Sequence, residues 1–502
     1  MPSLFSRARR FGTRTAILSP EGTFSYAELT HASESVANKL LAGRSDLEGD
    51  RICFLVPPGW AYATVQWGIW RAGGIAVPMA VSHPPAELEH VLDDAGAAAV
   101  VAHPELAPRL AAAAEARGLP LLLTSEIEGA QPAAALPQLS LGRPCLILYT
   151  SGTTGRPKGA VLSHGNIQAQ VESLSQAWAW SGDDRILLHL PLHHVHGIVN
   201  VLTSALWNGA TCEILPVFRP AEVWDRLASK TLTLYMAVPT VYARLIDAWD
   251  GAAPQTQATW AEGARACRLM ISGSAALPVP TLERWERITG HRLLERYGMT
   301  EIGMALSNPL VGDRRPGHVG APLPGVQVRL ADELDHPAPP EAPGEIQVRG
   351  PTVFSSYWAR PQETGAAFTA DGWFRTGDLA VVEQGAWRIL GRSSVDILKT
   401  GGEKISALEI EDVLRTHEGV ADCAVVGVPD AEWGERVCAA VVQRPNVEVS
   451  EADLRAHAKR LLAPYKVPKQ FLVVPELPRN PMGKVTKPAV RALFTEAPPP
   501  AR

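Results

Sequence analysis

Short apolar segments alternate with helix-forming segments along the first 123 residues, and this alternation limits the possible folds more than any other sequence feature. Apolar runs at residues 51–56, 74–78 and 98–102 have the length and composition of buried strands. Between them, Trp60–Arg71 and Pro85–Ala95 are predicted to be helices. Strands that alternate with helices form βαβ units, whose strands pair in parallel. The sequence therefore predicts an α/β body with largely parallel sheets.

The alternation returns in the middle of the chain and changes in its last third. Further strands are predicted at residues 185–190, 210–215, 233–238 and 268–272. Beyond residue 317, short segments separated by proline and glycine predict an antiparallel, barrel-like subdomain. A small α+β module follows Gly391-Arg392. We predict an N-terminal body at 1–392, a small mobile lid domain at 393–494 and a disordered, proline-rich tail at 495–502.

The composition and the charge argue against several classes of protein. With 502 residues, 46% of them hydrophobic and 20% charged, the chain is expected to be globular with two or more domains. A net charge of −5 argues against a dedicated nucleic-acid-binding protein. No apolar stretch approaches the roughly 18–20 residues that a membrane span needs. We expect small-molecule ligands and a monomer or a weak homodimer.

The cysteines and the N-terminus bear on the compartment. Six scattered cysteines without a C-x-x-C pair predict reduced, buried thiols in a cytoplasmic protein, not a disulfide or metal framework. Residues 3–14 carry four arginines and no acid, as transit peptides do, so an organelle matrix stays open as the alternative. Strand-like residues begin at Thr15, which leaves little chain to be cleaved.

A loop rich in glycine and hydroxyl groups follows the apolar run at residues 145–148. It reads Tyr149-Thr150-Ser151-Gly152-Thr153-Thr154-Gly155-Arg156-Pro157-Lys158-Gly159. Three glycines permit close backbone approach, while four serine and threonine hydroxyls and a lysine can reach phosphate oxygens. The spacing does not fit a Walker A loop, and a polar surface turn is the simpler interpretation of such a composition. Because these groups cluster directly after a strand, we favour a phosphate-binding loop.

The segment Arg296-Tyr297-Gly298-Met299-Thr300-Glu301 is the second chemical landmark. Tyr297 offers a flat face for a purine and Thr300 a hydroxyl for a phosphate. Glu301 offers a hard oxygen for Mg²⁺, which binds through one or two carboxylates together with substrate phosphates. The alternative is a tyrosine before a glycine turn, followed by a solvated glutamate.

Together, the loop and this Y-G-x-T-E pattern resemble the signatures of the adenylate-forming superfamily, which includes acyl-CoA synthetases, luciferases and stand-alone adenylation domains. The resemblance covers residues 25–487, nearly the whole chain. It implies that ATP, Mg²⁺ and CoA take part in two half-reactions. A carboxylate first attacks ATP and releases pyrophosphate, and a thiol then attacks the acyl-adenylate and releases AMP. One fixed set of groups cannot complement both transition states, so a moving lid is expected.

The resemblance also implies roles for individual residues of the body. Contacts with the nucleotide are implied for Thr150, Ser151, Gly152, Thr153, Thr154, Lys158, Gly273, Ser274, Ala275, Tyr297, Gly298, Asp378 and Arg392. Asp378, in a T-G-D turn, would bind the ribose with Arg392 as its basic companion, whereas an Asx turn is the simpler alternative. Glu301 and Thr154 would bind Mg²⁺, and Thr300, Glu301 and His194 would take part in catalysis.

In the lid, Lys484 resembles the lysine that enters the site for the first half-reaction. Attack of a carboxylate on the α-phosphate builds negative charge, and a point cation in a dry site offsets that charge. A solvated lysine is the simpler interpretation. By resemblance the lid pivots near Ser394, and its rotation would bring Gly401 and Gly402 toward the pantetheine channel.

Three histidines lie between Pro191 and Gly197. A zinc site is disfavoured because no fourth ligand with suitable spacing is visible. By resemblance, His194 would stand at the gate near the carboxylate and His196 would line the acyl pocket. A core or helix-capping role is the alternative for each histidine.

Arg296 bears most directly on the identity of the acid. A guanidinium beside the substrate pocket would be unfavourable opposite a fatty tail and favourable opposite a second carboxylate. A salt bridge to a local acid such as Glu295 is the alternative. The two segments at 191–197 and 295–301 are most similar to those of malonyl-CoA synthetases, so we expect a short dicarboxylate, malonate first and methylmalonate second. The alternatives are a medium-chain or aryl acyl-CoA ligase, an adenylation domain that loads a carrier protein, or a nucleotide-binding regulator without catalysis.

Overall fold

The computed structural model describes residues 3–127, 135–150, 157–339, 341–393, 395–400, 403–430, 433–445, 447–480 and 484–495. The helices are α1 (Ser3–Phe11), α2 (Tyr26–Leu41), α3 (Trp60–Arg71), α4 (Pro85–Ala95), α5 (Ala111–Ala116), α6 (Thr124–Ile127), α7 (His164–Ala177), α8 (Ser204–Asn208), α9 (Pro220–Ala228), α10 (Pro239–Asp250), α11 (Pro254–Arg265), α12 (Val279–Thr289), α13 (Pro361–Ala367), α14 (Ala407–Arg415), α15 (Glu451–Leu461) and α16 (Lys487–Thr495). A π-helical segment, His196–Thr203, precedes α8.

The strands are β1 (Thr15–Ser19), β2 (Gly22–Ser25), β3 (Arg51–Leu55), β4 (Ile75–Pro78), β5 (Ala99–Ala102), β6 (Leu121–Leu123), β7 (Pro144–Thr150), β8 (Lys158–Ser163), β9 (Arg185–Leu188), β10 (Thr211–Ile214), β11 (Leu234–Ala237), β12 (Leu269–Gly273), β13 (Leu294–Met299), β14 (Gly303–Ser307), β15 (Ala321–Pro322), β16 (Gln327–Ala331), β17 (Gly344–Arg349), β18 (Ser356–Tyr357), β19 (Phe374–Glu383), β20 (Ala386–Arg392), β21 (Ile397–Thr400), β22 (Glu403–Ser406), β23 (Val420–Asp430), β24 (Gly434–Gln443) and β25 (Gln470–Val473).

The first sheet carries the segment predicted to bind phosphate. Its strand order is β18-β8-β7-β4-β3-β5-β6. The strands β3 to β7 pair in parallel, which confirms the βαβ prediction, while β8 and β18 are antiparallel. β7 and β8 form a hairpin, and residues 151–156 between them lie outside the described residues. Ser151, Gly152, Thr153 and Thr154 are among these, so their predicted contacts stay predictions.

The second sheet carries the residues predicted to face the purine and the acid. Its strand order is β15-β14-β13-β12-β11-β9-β10-β1-β2. The neighbouring strands β13, β12, β11, β9 and β10 pair in parallel. Apolar side chains from both sheets pack into one large core. Helix α1 belongs to this core because Leu4, Phe5 and Ala8 are buried, so the arginine-rich segment is part of the packed body.

The last third of the chain forms two smaller units, as expected. The strands β16, β17, β19 and β20 make an antiparallel sheet. Residues after Arg392 form a sheet from β21 to β25 with α14, α15 and α16, around apolar clusters of their own. Of the predicted tail, Thr495 ends α16 and residues 496–502 lie outside the described residues.

A local sequence signal accounts for the start of α2. The pattern Ser25-Tyr26-Ala27-Glu28 is typical of a capping box, and one forms here: the Ser25 hydroxyl accepts from the Glu28 N–H, and the Glu28 carboxylate accepts from the Ser25 N–H. Helix α6 packs against α2 and ends at the buried Ile127. All six cysteines are buried and free, as predicted. Across the described residues, none of the helices has both the length and the apolar composition needed to cross a bilayer.

Candidate active site

The parallel pairing of β12 and β13 sets Gly273 opposite Arg296. A Cβ atom on Gly273 would lie 2.7 Å from the Arg296 guanidinium, so the missing side chain makes room for the arginine. Arg296 is only 3% exposed, and its Nη1 donates to the Ser274 hydroxyl at 3.3 Å. Within the described part of the chain, its Nε and Nη2 atoms are buried without a hydrogen-bond partner. Burial lowers the pKa of Arg296 to about 10, which leaves it protonated at neutral pH.

Glu295 faces the opposite side of β13, since successive strand residues point to opposite faces of a sheet. Its carboxylate accepts from the Gly317 N–H at 3.1 Å, and burial raises its pKa to about 8. The alternative of a Glu295–Arg296 salt bridge is therefore wrong. The buried cation has no carboxylate partner among the residues that the structure describes.

Replacing Glu295 by glutamine is expected to stabilise the protein at alkaline pH. The native carboxyl keeps its proton up to about pH 8, whereas the unfolded one loses it near its ordinary value of 4.5. The native state thus binds more protons in this window, and the free energy of unfolding falls as the pH rises through it. Glutamine stays neutral and retains a carbonyl acceptor for the Gly317 N–H.

We expect the free energy of unfolding of Glu295→Gln to exceed that of the wild type by about 1–3 kcal/mol near pH 8. Urea titrations at about pH 5 and about pH 8 measure this difference. Glu283→Gln, at an exposed glutamate, is the matched control. A wild type whose stability does not change between these two pH values would contradict the assignment.

Two of the three clustered histidines turn unpartnered nitrogens inward. Both His194 and His196 bury an Nε2 atom that has no partner within the described residues. The Nδ1 of His196 lies 3.3 Å from the Ser274 hydroxyl, so Ser274 connects this imidazole with Arg296. Burial, followed by the neighbouring charges, lowers the pKa of each imidazole, which makes both neutral at pH 7. The structure thus brings together His196 and Arg296, the two residues predicted to bind the acid.

Asp378 lies between Arg392, its predicted companion at the ribose, and Tyr297, the residue predicted to face the purine. The Tyr297 hydroxyl donates to Asp378 Oδ2 at 2.6 Å, and the Arg392 Nε donates to Oδ1 at 3.0 Å. The turn itself is closed by the Asp378 N–H, which donates to the Thr376 hydroxyl at 3.1 Å. The carboxylate is therefore held by Tyr297 and Arg392, and the Asx-turn alternative is wrong. Each oxygen keeps a lone pair that can accept from a sugar hydroxyl.

Glu301 is a buried carboxylate, only 4% exposed, so the alternative of a solvated glutamate is wrong. The Tyr357 hydroxyl donates to its Oε1 at 2.9 Å, and burial raises its pKa. Tyr357 lies 56 residues further along the chain, on the short strand β18, and no local pattern around Glu301 indicates this partner. A buried carboxylate oriented by the Tyr357 hydroxyl fits the single-carboxylate mode of Mg²⁺ binding.

The lid places Lys484 beside these groups. The residue keeps contact with solvent, yet burial among protein atoms, followed by the charges of Arg392 and Arg296, lowers the pKa of its amine. The Lys484 charge acts in turn on His194 and His196. The charges of Lys484 and of these groups in the body therefore act on one another, while the lysine itself is exposed to solvent.

The remaining predicted residues are only partly described. Lys158 Nζ lies 3.9 Å from a Glu363 carboxylate oxygen, and the Thr150 hydroxyl donates to the Lys158 carbonyl at 3.4 Å. Gly298 admits no side chain, since a Cβ there would lie 2.1 Å from the Gly303 carbonyl oxygen. Ala275 is exposed, and Thr300 is half-buried in the turn after β13. The proposed pivot Ser394 and the turn residues Gly401 and Gly402 fall outside the described ranges.

Known proteins resemble this chain in both sequence and fold. A family model described as AMP-binding enzyme matches residues 4–358, and one described as AMP-binding enzyme C-terminal domain matches residues 409–484. A mitochondrial malonate–CoA ligase of Mus musculus is 47% identical, with 96% of this chain and 89% of the relative covered. A malonate–CoA ligase of Arabidopsis thaliana is 39% identical, with 96% and 86% covered.

Two solved structures show different degrees of likeness at the same identity of 36%. ATP-bound MatB from Rhodopseudomonas palustris superposes with a TM-score of 0.90, covering 98% of this chain and 99% of that one. A malonyl-CoA ligase in a ternary product complex with methylmalonyl-CoA and AMP superposes with a TM-score of 0.70, covering 95% and 100%. Because the two family models together match most of its length, the chain belongs to the AMP-binding enzyme family.

Proposed function

We propose that this protein is an ATP-dependent malonate–CoA ligase that works through a malonyl-adenylate and accepts methylmalonate as a second substrate. The main support for this proposal is the buried Arg296 guanidinium, which has no carboxylate partner among the described residues. The curated relatives that are malonate–CoA ligases support the same acid.

The electrostatics favour a dicarboxylate. An uncompensated buried cation costs several kcal/mol, and a bidentate carboxylate is the partner that offsets this cost best. Arg296 has two unpartnered nitrogens available for such a pair, and it stays charged at neutral pH. A fatty or plain aryl acid would leave the guanidinium unpaired. One carboxylate of malonate would therefore bind Arg296, with His196 beside it, while the other faces the α-phosphate near His194.

The nucleotide would bind across the end of the second sheet. Tyr297 would offer its ring to the purine, with Gly273, Ser274 and Ala275 at the adenine edge. Asp378 would accept from the ribose hydroxyls, held in place by Arg392. Thr150 and Lys158 flank the segment proposed to bind the phosphates, to which Ser151, Gly152, Thr153 and Thr154 belong.

The residues divide the first half-reaction among them. The Lys484 cation would offset the charge that builds as the acid attacks the α-phosphate, and Thr300 would donate its hydroxyl to a phosphate oxygen. The neutral imidazole of His194 would line the approach of the carboxylate. Glu301 with Thr154 would hold Mg²⁺, which neutralises phosphate charge when bound.

The second half-reaction requires a different lid position. The better match to the ATP-bound relative than to the product complex, at equal sequence identity, supports an arrangement suited to adenylation. Rotation of the lid, residues 393–494, about Ser394 would withdraw Lys484 and carry Gly401 and Gly402 toward the pantetheine arm of CoA. The body at 1–392 would keep the acyl-adenylate bound.

A panel of acids tests the proposal. Pyrophosphate release is measured with malonate, methylmalonate, butyrate, octanoate and benzoate, each with and without CoA. We expect malonate to give the highest kcat/KM, and sustained turnover to require CoA. Preference for octanoate or benzoate would establish the medium-chain or aryl alternative. Loading of a carrier protein in place of CoA would establish a stand-alone adenylation domain. The absence of pyrophosphate release with every acid would support a nucleotide-binding regulator without catalysis.

The compartment and the oligomeric state belong to the same proposal. The six buried free thiols fit a reducing compartment, for which we propose the cytoplasm. The mitochondrial relatives make the matrix the alternative, and fractionation of the native protein decides between them. We propose a monomer or a weak homodimer, which light scattering over a range of concentrations measures.

A further inference from the structure

A buried carboxylate connects the hairpin β7–β8 with the start of α13. Asp94, in the last turn of α4, has a side chain only 8% exposed. Its Oδ2 accepts from the Tyr149 hydroxyl at 2.9 Å, and its Oδ1 accepts from the Arg360 guanidinium. Tyr149 stands next to Thr150, the last described residue before the segment proposed to bind phosphates. The three side chains therefore fix one end of the hairpin to two helices.

Helix α4 also reaches the chain just before β8, at the same end of the hairpin. His90 lies one turn before Asp94, and its Nε2 is 3.5 Å from the Pro157 carbonyl oxygen. The His90 and Tyr149 rings form a T-shaped pair, with centroids 6.2 Å apart. Gly159 pairs with Tyr149 across the hairpin, and its carbonyl accepts from the Trp358 N–H at 2.7 Å. Contacts from outside the hairpin thus hold both of its strands where they approach residues 151–156.

The segment that supplies Arg360 also reaches the candidate magnesium ligand. Tyr357, three residues earlier, donates its hydroxyl to Glu301. The Lys158 amine lies 5.6 Å from the centre of the Tyr357 ring. One short stretch of chain therefore touches the carboxylate proposed to bind Mg²⁺, the lysine proposed to bind phosphate and, through Asp94, the end of the hairpin.

We propose that Asp94 is a positioning residue for the triphosphate of ATP. With Tyr149 and Arg360 it fixes the strand ends that carry Thr150 and Lys158, so that these two residues meet the phosphates already in place. A preformed site avoids the entropy cost of ordering these groups on binding. The inference rests on the proposed binding of ATP at this hairpin and does not depend on which acid is activated.

Removal of the Tyr149 hydroxyl tests the inference with the smallest change. Binding of Mg·ATP is measured by calorimetry without any acid, so failure of the malonate proposal would not affect the result. We expect Tyr149→Phe to weaken Mg·ATP about tenfold, because a hydrogen bond to a charged acceptor is lost. The malonate KM at saturating ATP should stay within about twofold, since Arg296 is untouched.

Tyr26→Phe is the matched control, because it removes a buried hydroxyl that donates to the Ala210 carbonyl at 2.6 Å, away from the site. We expect this control to bind Mg·ATP like the wild type. Equal effects of the two substitutions on Mg·ATP, or a parallel rise in the KM of ATP and of malonate after Tyr149→Phe, would overturn the inference.

A second variant examines whether the side chains act as one unit. Asp94→Asn keeps the shape of the side chain but removes the charge that Tyr149 and Arg360 share. We expect the double variant Asp94→Asn/Tyr149→Phe to weaken Mg·ATP no more than Asp94→Asn alone, because groups in one network are not additive. Independent, multiplying effects of the two substitutions would contradict a shared positioning role.

Discussion

Replacing Arg296 by alanine is expected to lower kcat/KM for malonate by about 100-fold or more, because a malonate carboxylate would then be buried without its cation. Each charge-assisted hydrogen bond to the carboxylate contributes about 1.5–3 kcal/mol, and two such bonds are available from the unpartnered Nε and Nη2 atoms. The KM for ATP should change by no more than about twofold, since Tyr297 and Asp378 remain in place. Initial rates of pyrophosphate release with varied malonate and varied ATP measure both values.

Butyrate supplies the control within the same variant. It has the reacting carboxylate of malonate but no second charge, so the loss of Arg296 should leave its rate unchanged or raise it. Thermal melting of the variant shows whether the cavity left by the arginine has unfolded the body. Malonate turnover near the wild-type level, in a folded variant, would end the idea of a carboxylate clamp.

Replacing Lys484 by alanine is expected to separate the two half-reactions. Formation of the adenylate, followed as malonate-dependent ATP–pyrophosphate exchange, should fall by about 100- to 1,000-fold, as when one preorganised charge-stabilising group is removed. Transfer from supplied malonyl-adenylate to CoA should stay within about threefold of the wild type, because the lid would carry Lys484 away before that step.

Lys230→Ala provides the matched control, since this lysine pairs with Glu262 on the surface of the body. Both half-reactions of that control should proceed as in the wild type. If Lys484→Ala slowed both half-reactions to the same extent, the lysine would serve the structure of the lid and not the first chemical step.

The regular elements of the body were predictable because their signals are local. Apolar runs bounded by glycine and proline gave the strands β3 to β5 to within one residue at each end, and Ser25 with Glu28 gave the start of α2. Alternation along a strand also decides the orientation of Arg296. Glu295 and Arg296 are neighbours in sequence, and for that reason they face opposite sides of β13.

The supporting side chains of the site were not predictable from sequence, because their partners lie far along the chain. Tyr357 meets Glu301 across 56 residues, and Arg360 meets Asp94 across 266. Nothing in the residues around Gly273 indicates that it makes room for a guanidinium on the neighbouring strand. Such contacts follow from sheet register and from crossover connections, which a local pattern does not specify.

A crystal structure with a non-hydrolysable malonyl-adenylate analogue would show whether Arg296 binds the second carboxylate of the acid. We expect the distal carboxylate of the analogue within roughly 3 Å of the Arg296 guanidinium, a distance at which N–H···O hydrogen bonds form. The adenine should lie against Tyr297, and the ribose hydroxyls should donate to Asp378. An Arg296 side chain turned away from the ligand, with an apolar tunnel in its place, would contradict the assignment of a dicarboxylate substrate.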